Sequence, residues 1–390
     1  MNSPELDCFD LTRWPEATED HVALRDALRR FVSTEIVPFA TEWDEAGTFP
    51  RELYRKAGEV GLLGLGYPEA YGGTPCDHLS KAIATLELTR AGAGGINASL
   101  NSYSIMIWPL LIAAPQPLRD EIVPRLLTGE RIGALGVTEP DGGSDVAQLK
   151  TRAVRTDGGW RLNGSKIYIT SGMRADHYLI AARTGGQGAG GISLFLVDRD
   201  AEGFGRTALK KMGWWASDTA SLHFDDVFVP EGRMIGEENR GFRLVMHNFN
   251  SERLGMAAGA LGYAIACVED ALAWSHERVT FGARLIEHQV IRHKIVKMID
   301  AILPPLNMLV TLGRRVDAGQ SPAGEIALLK SHAARVMRDC SDSAVQILGG
   351  AGFVRGTRAE RIYREAKVMM IGGGSEEIMH DLAARQLGLV

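Results

Sequence analysis

We place the working part of this chain in the stretch from residue 249 to residue 259, which reads Phe249-Asn250-Ser251-Glu252-Arg253-Leu254-Gly255-Met256-Ala257-Ala258-Gly259. It opens a long apolar helical pattern and places an acid beside a base in the first turn. We expect Ser251 to cap this helix, because serine oxygens accept hydrogen bonds from the backbone N–H groups at helix starts. Glu252 would then lie near the positive end of the helix dipole. Taken alone, the stretch predicts an ordinary carboxylate on the surface of a first turn.

Outward from this stretch, three regions with different periodicity follow one another along the 390-residue chain. Residues 1–130 and 241–390 have apolar residues at helical spacing, whereas residues 131–240 contain short β-rich runs such as Trp160–Asn163 and Lys166–Ser171. We predict an α+β fold with an N-terminal all-α domain, a middle antiparallel β-barrel domain and a C-terminal four-helix bundle domain. Pro304-Pro305 should kink or break the second long helix of the last region.

Composition and charge argue against nucleic-acid binding, a membrane span and a metal site. With 45% hydrophobic and 23% charged residues, the chain resembles an ordinary soluble globular protein, and its net charge of −5 argues against nucleic-acid binding. The sequence contains no run of 18 apolar residues, and its first 20 residues lack the pattern of a signal peptide. We therefore expect no membrane span and a cytoplasmic location. The four cysteines fit no metal or redox spacing, so no metal is expected.

Several local motifs suggest chemistry that their context does not support. The run Gly186–Gly191 matches G-x-G-x-x-G, but a strand pattern follows it where a phosphate site needs a helix, so a hairpin loop is the better interpretation. Glu377-Ile378-Met379-His380 spells the Glu-x-x-His element of di-iron bundles, yet the sequence has no second such element. A nucleophile elbow of the G-x-S-x-G type is also missing, which argues against a serine hydrolase.

Two glycine-containing loops are more informative. The loop Thr138–Asp145 exposes backbone amides and the Ser144 hydroxyl, which would suit a phosphate or the polar edge of a ring. An ordinary turn joining two domains explains that loop equally well. Folding the run Gly372-Gly373-Gly374 costs more conformational entropy than folding residues with side chains. This cost favours a site that needs a close approach to the backbone.

Taken in order along the chain, five motifs resemble those of the acyl-CoA dehydrogenase family, flavoproteins that desaturate acyl thioesters. They are Gly136-Val137-Thr138-Glu139-Pro140 with Gly143-Ser144-Asp145, Gly164-Ser165-Lys166 with Ile169-Thr170-Ser171-Gly172, Arg278-Val279-Thr280-Phe281-Gly282 with His288-Gln289, Gln346-Ile347-Leu348-Gly349-Gly350, and Arg364-Glu365-Ala366-Lys367. The similarity covers about residues 20–390. The ordered set is far more specific than any single motif.

This resemblance implies an FAD cofactor between the β-domain and the C-terminal bundle. It implies contacts from the main chain around Leu135, Val137 and Thr138, from Ser144 at the pyrophosphate, from Tyr168 at the flavin face where the family usually has Trp, from Thr170 near N5, and from Ser375 and Glu377 where the family closes over the cofactor. Arg278, Phe281, Gln289, Gln346 and Gly350 would bind the ADP half of a flavin held by a neighbouring subunit. The implied assembly is a homotetramer, a dimer of dimers.

The position of the catalytic base departs from the commonest pattern of the family. Many members carry a Glu in the late loop, and aligning the motifs places Gly373 at that position. A branch resembling long-chain and isovaleryl-CoA dehydrogenases takes its base from a Glu-Arg-Leu sequence after the β-domain, which Glu252-Arg253-Leu254 matches. The resemblance therefore implies that Glu252 is the base and that Ser144, Arg253, Gly373 and Gly374 lie beside the substrate.

The implied reaction is α,β-dehydrogenation of an acyl-CoA to the trans-2-enoyl-CoA, with electrons passed to an electron-transferring flavoprotein. Glu252 would take the α-proton while the β-hydride goes to flavin N5. Burial beside the apolar flavin and substrate should raise the pKa of Glu252, and the Gly373 N–H with a flavin ribityl hydroxyl should stabilise the enolate oxygen. An acyl-CoA oxidase, an acyl-carrier-protein dehydrogenase, a flavin monooxygenase and a non-catalytic helical scaffold remain as alternatives.

Overall fold

The computed structural model describes residues 6–247 and 249–390. Helices come first, a sheet follows, and a second set of helices completes the chain, which confirms the predicted α+β class. The helices of the first region are α1 (Glu19–Glu35), α2 (Ala40–Ala46), α3 (Glu52–Glu59), α4 (His78–Thr89), α5 (Gly94–Asn101), α6 (Ser104–Ala113) and α7 (Gln116–Leu127). Their apolar stripes meet in one core, to which α1 contributes Leu28, Phe31 and Val32.

The middle region is an eight-stranded sheet with the strand order β6-β7-β3-β2-β4-β5-β8, and β1 pairs with β4 off this path. Its strands are β1 (Gly133–Gly136), β2 (Arg152–Thr156), β3 (Gly159–Ile169), β4 (His177–Arg183), β5 (Ile192–Asp198), β6 (Phe204–Ala208), β7 (Ala220–Pro230) and β8 (Met234–Ile235). Most pairs are antiparallel as predicted, but β4 runs parallel to β1 and to β2. The two β-rich runs expected around residue 165 form the single strand β3.

The last region contains the helices that carry the candidate site. They are α8 (Gly241–His247), α9 (Phe249–Glu277), α10 (Gln289–Asp317), α11 (Ala323–Leu348), α12 (Gly350–Phe353), α13 (Arg358–Ile371) and α14 (Glu376–Gln386), with the short hairpin β9 (Val279–Thr280) and β10 (Ala283–Arg284) between α9 and α10. The long helix α9 packs against α4, α10, α11 and α13. Gly262 permits the close approach to α4, because a Cβ there would lie 2.0 Å from Thr89 Oγ1.

The predicted cap of α9 and the predicted break in α10 are both wrong. Ser251 does not cap α9, because the helix already includes Phe249 and Asn250. Pro304-Pro305 does not break α10, which continues to Asp317 with both prolines inside it. Pro305 is buried in this helix, so packing by the neighbouring helices holds the segment that local propensity would interrupt.

Three helical stretches are long and apolar enough to cross a membrane by length and composition alone. They are Gly94–Ala113, Gly241–Glu277 and Gln289–Asp317, and the shares of their apolar windows buried inside the protein are 56%, 72% and 44%. Much of their apolar surface therefore packs against neighbouring elements. The absence of a membrane span stays a prediction.

Candidate active site

Glu252 lies in the first turn of α9, where its side chain keeps part of its surface accessible. The protein atoms packed around the carboxyl raise its pKa to about 7, and the positive charges of Arg253 and Lys330 act in the opposite direction. The direction agrees with the expectation from the sequence, and the surrounding protein atoms are enough to produce it. A carboxyl with a pKa near neutrality is well matched to accept a proton at physiological pH.

The loop between α13 and α14 meets α9 one turn beyond Glu252. Gly373 has a φ of 65°, and Gly374 has a φ of 109°, so both lie in the region that favours glycine. A Cβ at Gly373 would lie 2.3 Å from Met256 Sδ. The space for a side chain at position 373 is therefore filled from α9, the helix that also carries Glu252.

Two buried cations contact the backbone of this loop. Arg253 Nε donates to the Gly373 carbonyl at 3.5 Å, and the guanidinium lies 5.4 Å from the centre of the Phe249 ring. Lys330 Nζ on α11 donates to the Gly374 carbonyl at 2.7 Å. The structure thus brings together Glu252, Arg253, Gly373 and Gly374, as predicted from the sequence, although Arg253 contacts the loop backbone.

Lys330 is the residue of this cluster that the sequence analysis missed. A signal for it was present, since Lys330 continues the apolar stripe formed by Ile326, Ala333 and Met337 at helical spacing. A lysine on such a stripe is either buried or reaches past the stripe to water. The packing of α11 against α9 and α14 shows that the Lys330 side chain is buried, which the sequence pattern could not show.

The predicted flavin contacts from the sheet region lie side by side. Ile167 N donates to the Thr138 carbonyl at 2.9 Å, so the residues after β1 run beside the end of β3. The pairing of β3 is irregular between Lys166 and Ile169, and Tyr168 there has a φ of 62° and is 68% exposed. A bulge of this kind re-aims a side chain, and here it presents the tyrosine outward.

A buried ion pair stabilises the residues after β1 and the end of β3, which we call the sheet edge. Lys166 Nζ donates to Glu139 Oε1 at 2.7 Å and to the Val137 carbonyl at 3.1 Å, and Glu139 also accepts from the backbone N–H of Thr151. Burial would raise the pKa of Glu139, but the charge and hydrogen bond of Lys166, together with the backbone donors, outweigh it and lower that pKa. Burial lowers the pKa of Lys166 to about 8.

The other residues predicted to contact the flavin fall into two groups, one in and after β1 and one at the start of α14. Leu135 and Val137 are partly buried, and Ser144 is exposed in the loop that follows them. Ser375 caps α14 by accepting from Ile378 N at 3.4 Å, and Glu377 is exposed in the first turn of that helix. The Ser375 and Glu377 pair therefore adjoins the glycine loop.

The residues predicted for the ADP half lie at the other end of α9. Arg278 follows α9, Phe281 is fully exposed at the tip of the β9–β10 hairpin, and Gln289 begins α10. Gln346 and Gly350 lie where α11 ends and α12 begins. Cys340 Sγ on α11 contacts the Met298 carbonyl on α10 at 3.9 Å, so the C-terminal half of α11 lies beside the N-terminal half of α10.

This second set is remote from Glu252 within one chain. Arg278 follows Glu252 by about 26 residues on or just beyond a continuous helix, which corresponds to roughly 39 Å at 1.5 Å per residue. The chain therefore does not bring the two sets into one site by itself. Their separation agrees with the predicted binding across subunits, which stays a prediction.

The residues at the sheet edge suit a flavin ring. The exposed Tyr168 ring offers an apolar face, and the hydroxyls of Thr138 and Thr170 make no hydrogen bond to another described residue. The side chain of Ser144 is likewise without a partner among the described residues. A flat ring with a polar edge and an attached phosphate would use all of these groups.

Comparison with known proteins identifies the family. Family models described as the acyl-CoA dehydrogenase N-terminal, middle and C-terminal domains match residues 18–130, 134–227 and 239–388. Among curated proteins, the chain is 35% identical to an acyl-CoA dehydrogenase of Bacillus subtilis strain 168 over 95% of this chain and 98% of that protein. It is 33% identical to the mitochondrial long-chain specific acyl-CoA dehydrogenase of Mus musculus, over 95% of this chain and 87% of that one.

Solved structures agree with this assignment. The fold matches butyryl-CoA dehydrogenase from Megasphaera elsdenii with a TM-score of 0.91 and 32% identity, over 95% of this chain and 99% of that one. It matches a chain in a structure of the electron transferring flavoprotein of Acidaminococcus fermentans with a TM-score of 0.92 and 32% identity, over 96% and 99%. It also matches glutaryl-CoA dehydrogenase from Mycobacterium smegmatis in complex with FADH2, with a TM-score of 0.92 and 27% identity, over 99% of both chains. Three matching domains and relatives aligned over nearly their full lengths place this chain in the acyl-CoA dehydrogenase family of FAD-dependent oxidoreductases.

Proposed function

We propose that this protein converts an acyl-CoA to its trans-2-enoyl-CoA, with Glu252 as the catalytic base. The observation that carries this assignment is the contact between α9 and the late glycine loop. Position 373 has no side chain, Met256 occupies the space where one would begin, and Glu252 lies one turn earlier on the same helix. This contact supports a base that comes from α9 and not from the glycine loop.

The chain's own groups account for the proton transfer. Glu252 takes the α-proton, and its pKa of about 7 keeps a large ionised fraction at neutral pH without making the carboxylate a very weak base. The backbone N–H of Gly373 makes no hydrogen bond to another described residue, so it is the candidate donor to the thioester oxygen. Donors held in place before the reaction stabilise the developing negative charge by several kcal/mol.

The residues of the sheet edge would hold the cofactor that this reaction needs. FAD supplies the acceptor for the β-hydride at its N5 atom. Tyr168 would cover one face of the ring, the Thr138 and Thr170 hydroxyls would donate to its polar edge, and Ser144 would serve the pyrophosphate. The support for these roles is the exposed ring and the unused hydroxyl groups described above.

We further propose a homotetramer and an electron-transferring flavoprotein as the electron acceptor. The full exposure of Phe281 and the separation of roughly 39 Å between Arg278 and Glu252 support binding of the ADP half across a subunit interface. The similarity to a chain solved with an electron transferring flavoprotein supports the acceptor. Sedimentation velocity of the yellow protein tests the assembly, and a monomer that retains FAD would contradict it.

The substitution Glu252→Gln tests the proposed base. We expect the variant to keep its bound FAD and to lose activity by about 10³-fold or more with a panel of acyl-CoAs and an artificial electron acceptor, because the proton acceptor is gone. Glu376→Gln is the matched control, since Glu376 adjoins the same loop but forms an ion pair with Arg335. The assignment is wrong if Glu252→Gln retains most of the activity, or if the control is equally inactive with FAD bound.

The same assay separates a dehydrogenase from an oxidase. We expect slow reoxidation of the substrate-reduced protein in air and little hydrogen peroxide. Rapid reoxidation with stoichiometric peroxide would instead assign the oxidase reaction.

A further inference from the structure

We propose that Lys330 is a positioning residue for this reaction: its ammonium group holds the loop Gly372–Ser375 through the Gly374 carbonyl and shapes the charge around Glu252. The inference rests on the proposed function, because it gives Lys330 a role in the dehydrogenation at Glu252. It also concerns a residue for which the sequence predicted no role.

The burial of Lys330 needs a reason other than packing. The residue is only 2% exposed on α11, and its Nζ donates to the Gly374 carbonyl at 2.7 Å. It forms no salt bridge with a carboxylate of the described residues. Burying an ammonium group without a carboxylate partner is costly, and an apolar residue would fill the same stripe of α11 at lower free energy.

The loop that Lys330 contacts has few other means of support. Gly372 N donates to the Val368 carbonyl, and Ser375 caps α14, so the two ends of the loop are tied to helices. Between these ends lie Gly373 and Gly374, which have no side chains. Their carbonyls accept from Arg253 at 3.5 Å and from Lys330 at 2.7 Å, and the shorter contact belongs to Lys330.

The charges around Glu252 come from three helices. Arg253 lies beside it on α9, Lys330 faces it from α11, and Glu376 on α14 acts on Lys330. Burial and the positive charge of Arg253 lower the pKa of Lys330 to about 8. The negative charges of Glu252 and Glu376 act in the opposite direction. Lys330 is therefore still largely protonated at pH 7, where its charge favours the ionised form of Glu252.

Two substitutions separate the contact from the charge. Lys330→Gln keeps a hydrogen-bond donor and removes the charge, whereas Lys330→Met removes both. Lys297→Met is the matched control, because Lys297 is an exposed lysine on the neighbouring helix α10. All three proteins are studied as purified holoenzymes.

Hydrogen exchange in the peptide covering residues 369–379 reports on the loop without requiring turnover. We expect exchange in Lys330→Met to be about tenfold faster than in the parent protein, because a hydrogen bond from a charged donor is lost. Lys330→Gln should show a smaller increase, and Lys297→Met should show none. Unchanged exchange in Lys330→Met would overturn the proposal.

The pH dependence of turnover reports on the charge. In both Lys330→Gln and Lys330→Met we expect the acid limb of the profile to move upward by about one pH unit, because a cation that favours the carboxylate is gone. Turnover of Lys330→Met at pH 7 should fall by about tenfold with little change in KM. An acid limb that stays in place in both variants would refute the positioning role.

The two measurements also distinguish this proposal from the function on which it rests. If the parent protein does not dehydrogenate any acyl-CoA but Lys330→Met still loosens the loop, the proposed function fails and the anchoring contact stands. If the methionine variant does not fold, Lys330→Gln carries both measurements, and an unshifted profile with unchanged exchange refutes the proposal.

Discussion

At the scale of single residues, the chemistry proposed for this protein depends on the surroundings of Glu252 in the first turn of α9. The first-turn placement read from the sequence holds, but Ser251 is not the cap, and the carboxyl is surrounded by protein atoms. The pKa of about 7 results from this burial, against which Arg253 and Lys330 act. Neither the burial nor the Lys330 charge is visible in the residues next to Glu252 in the chain.

The raised pKa predicts the pH dependence of both activity and stability. Activity with an acyl-CoA should rise as the pH increases through about 7, because Glu252 must be ionised to accept a proton. Stability has the opposite sign: the contribution of Glu252 is fully present below its ordinary pKa of 4.5 and is lost as the pH rises through about 7. Melting temperatures of the parent protein and Glu252→Gln between pH 4.5 and 9 check this.

In that comparison, the variant should become relatively more stable as the pH rises, with the difference levelling off above neutrality. A difference that is independent of pH would show that the carboxyl ionises with an ordinary pKa.

At the scale of elements, the sheet edge depends on a side chain from β3 that reaches the residues after β1. The sequence motifs included Lys166 and Glu139 but gave no indication that they pair. The pair connects the Val137 carbonyl and the start of β2, and Lys166 is completely buried. The irregular pairing of β3 two residues later then presents Tyr168 outward.

Removing one partner of this pair should affect both stability and cofactor binding. Lys166→Met leaves the buried Glu139 carboxylate without its cation, which typically lowers the free energy of unfolding by about 3–5 kcal/mol. We also expect less FAD per chain, because Val137 and Thr138 lose their support. Urea unfolding and the absorbance ratio of flavin to protein measure the two effects.

Lys150→Met is the control for this experiment. Lys150 forms an exposed ion pair with Asp141 at 2.8 Å in the same region, and such pairs contribute little to stability. Equal unfolding midpoints for the two variants would contradict the role given to Lys166.

At the scale of the whole molecule, one buried carboxyl joins all three regions. Glu365 on α13 accepts from Gly94 N at the start of α5 and from Trp214 N in the segment before β7, each at 3.0 Å. Burial and the charge of Asp44 raise its pKa to about 8, while Arg361 acts in the other direction. The N-terminal helices, the sheet region and the C-terminal bundle therefore meet at a carboxyl that is largely protonated at neutral pH.

This arrangement predicts a second pH effect. The stability contributed by Glu365 is fully present below about 4.5 and is lost as the pH rises through about 8. Glu365→Gln should be less stable than the parent at pH 6 by about 1–3 kcal/mol, because an amide accepts from only one of the two N–H groups. Denaturation midpoints at pH 6 and pH 9 should show this gap narrowing. If the stability difference between the parent protein and Glu365→Gln widened as the pH rises, Glu365 would not be the protonated carboxyl that joins the three regions.

The sequence by itself determined the order of the three regions, the ordered motifs of the family and the Glu252-Arg253-Leu254 element on the helix after the sheet. These features are local, because periodicity and motifs are read from residues close together in the chain. Only the tertiary structure decided that Met256 fills the space at Gly373, that Lys330 is buried and that Glu365 joins three regions. Such contacts connect residues 44 to 271 positions apart, and they follow from how the helices pack, which local pattern does not specify.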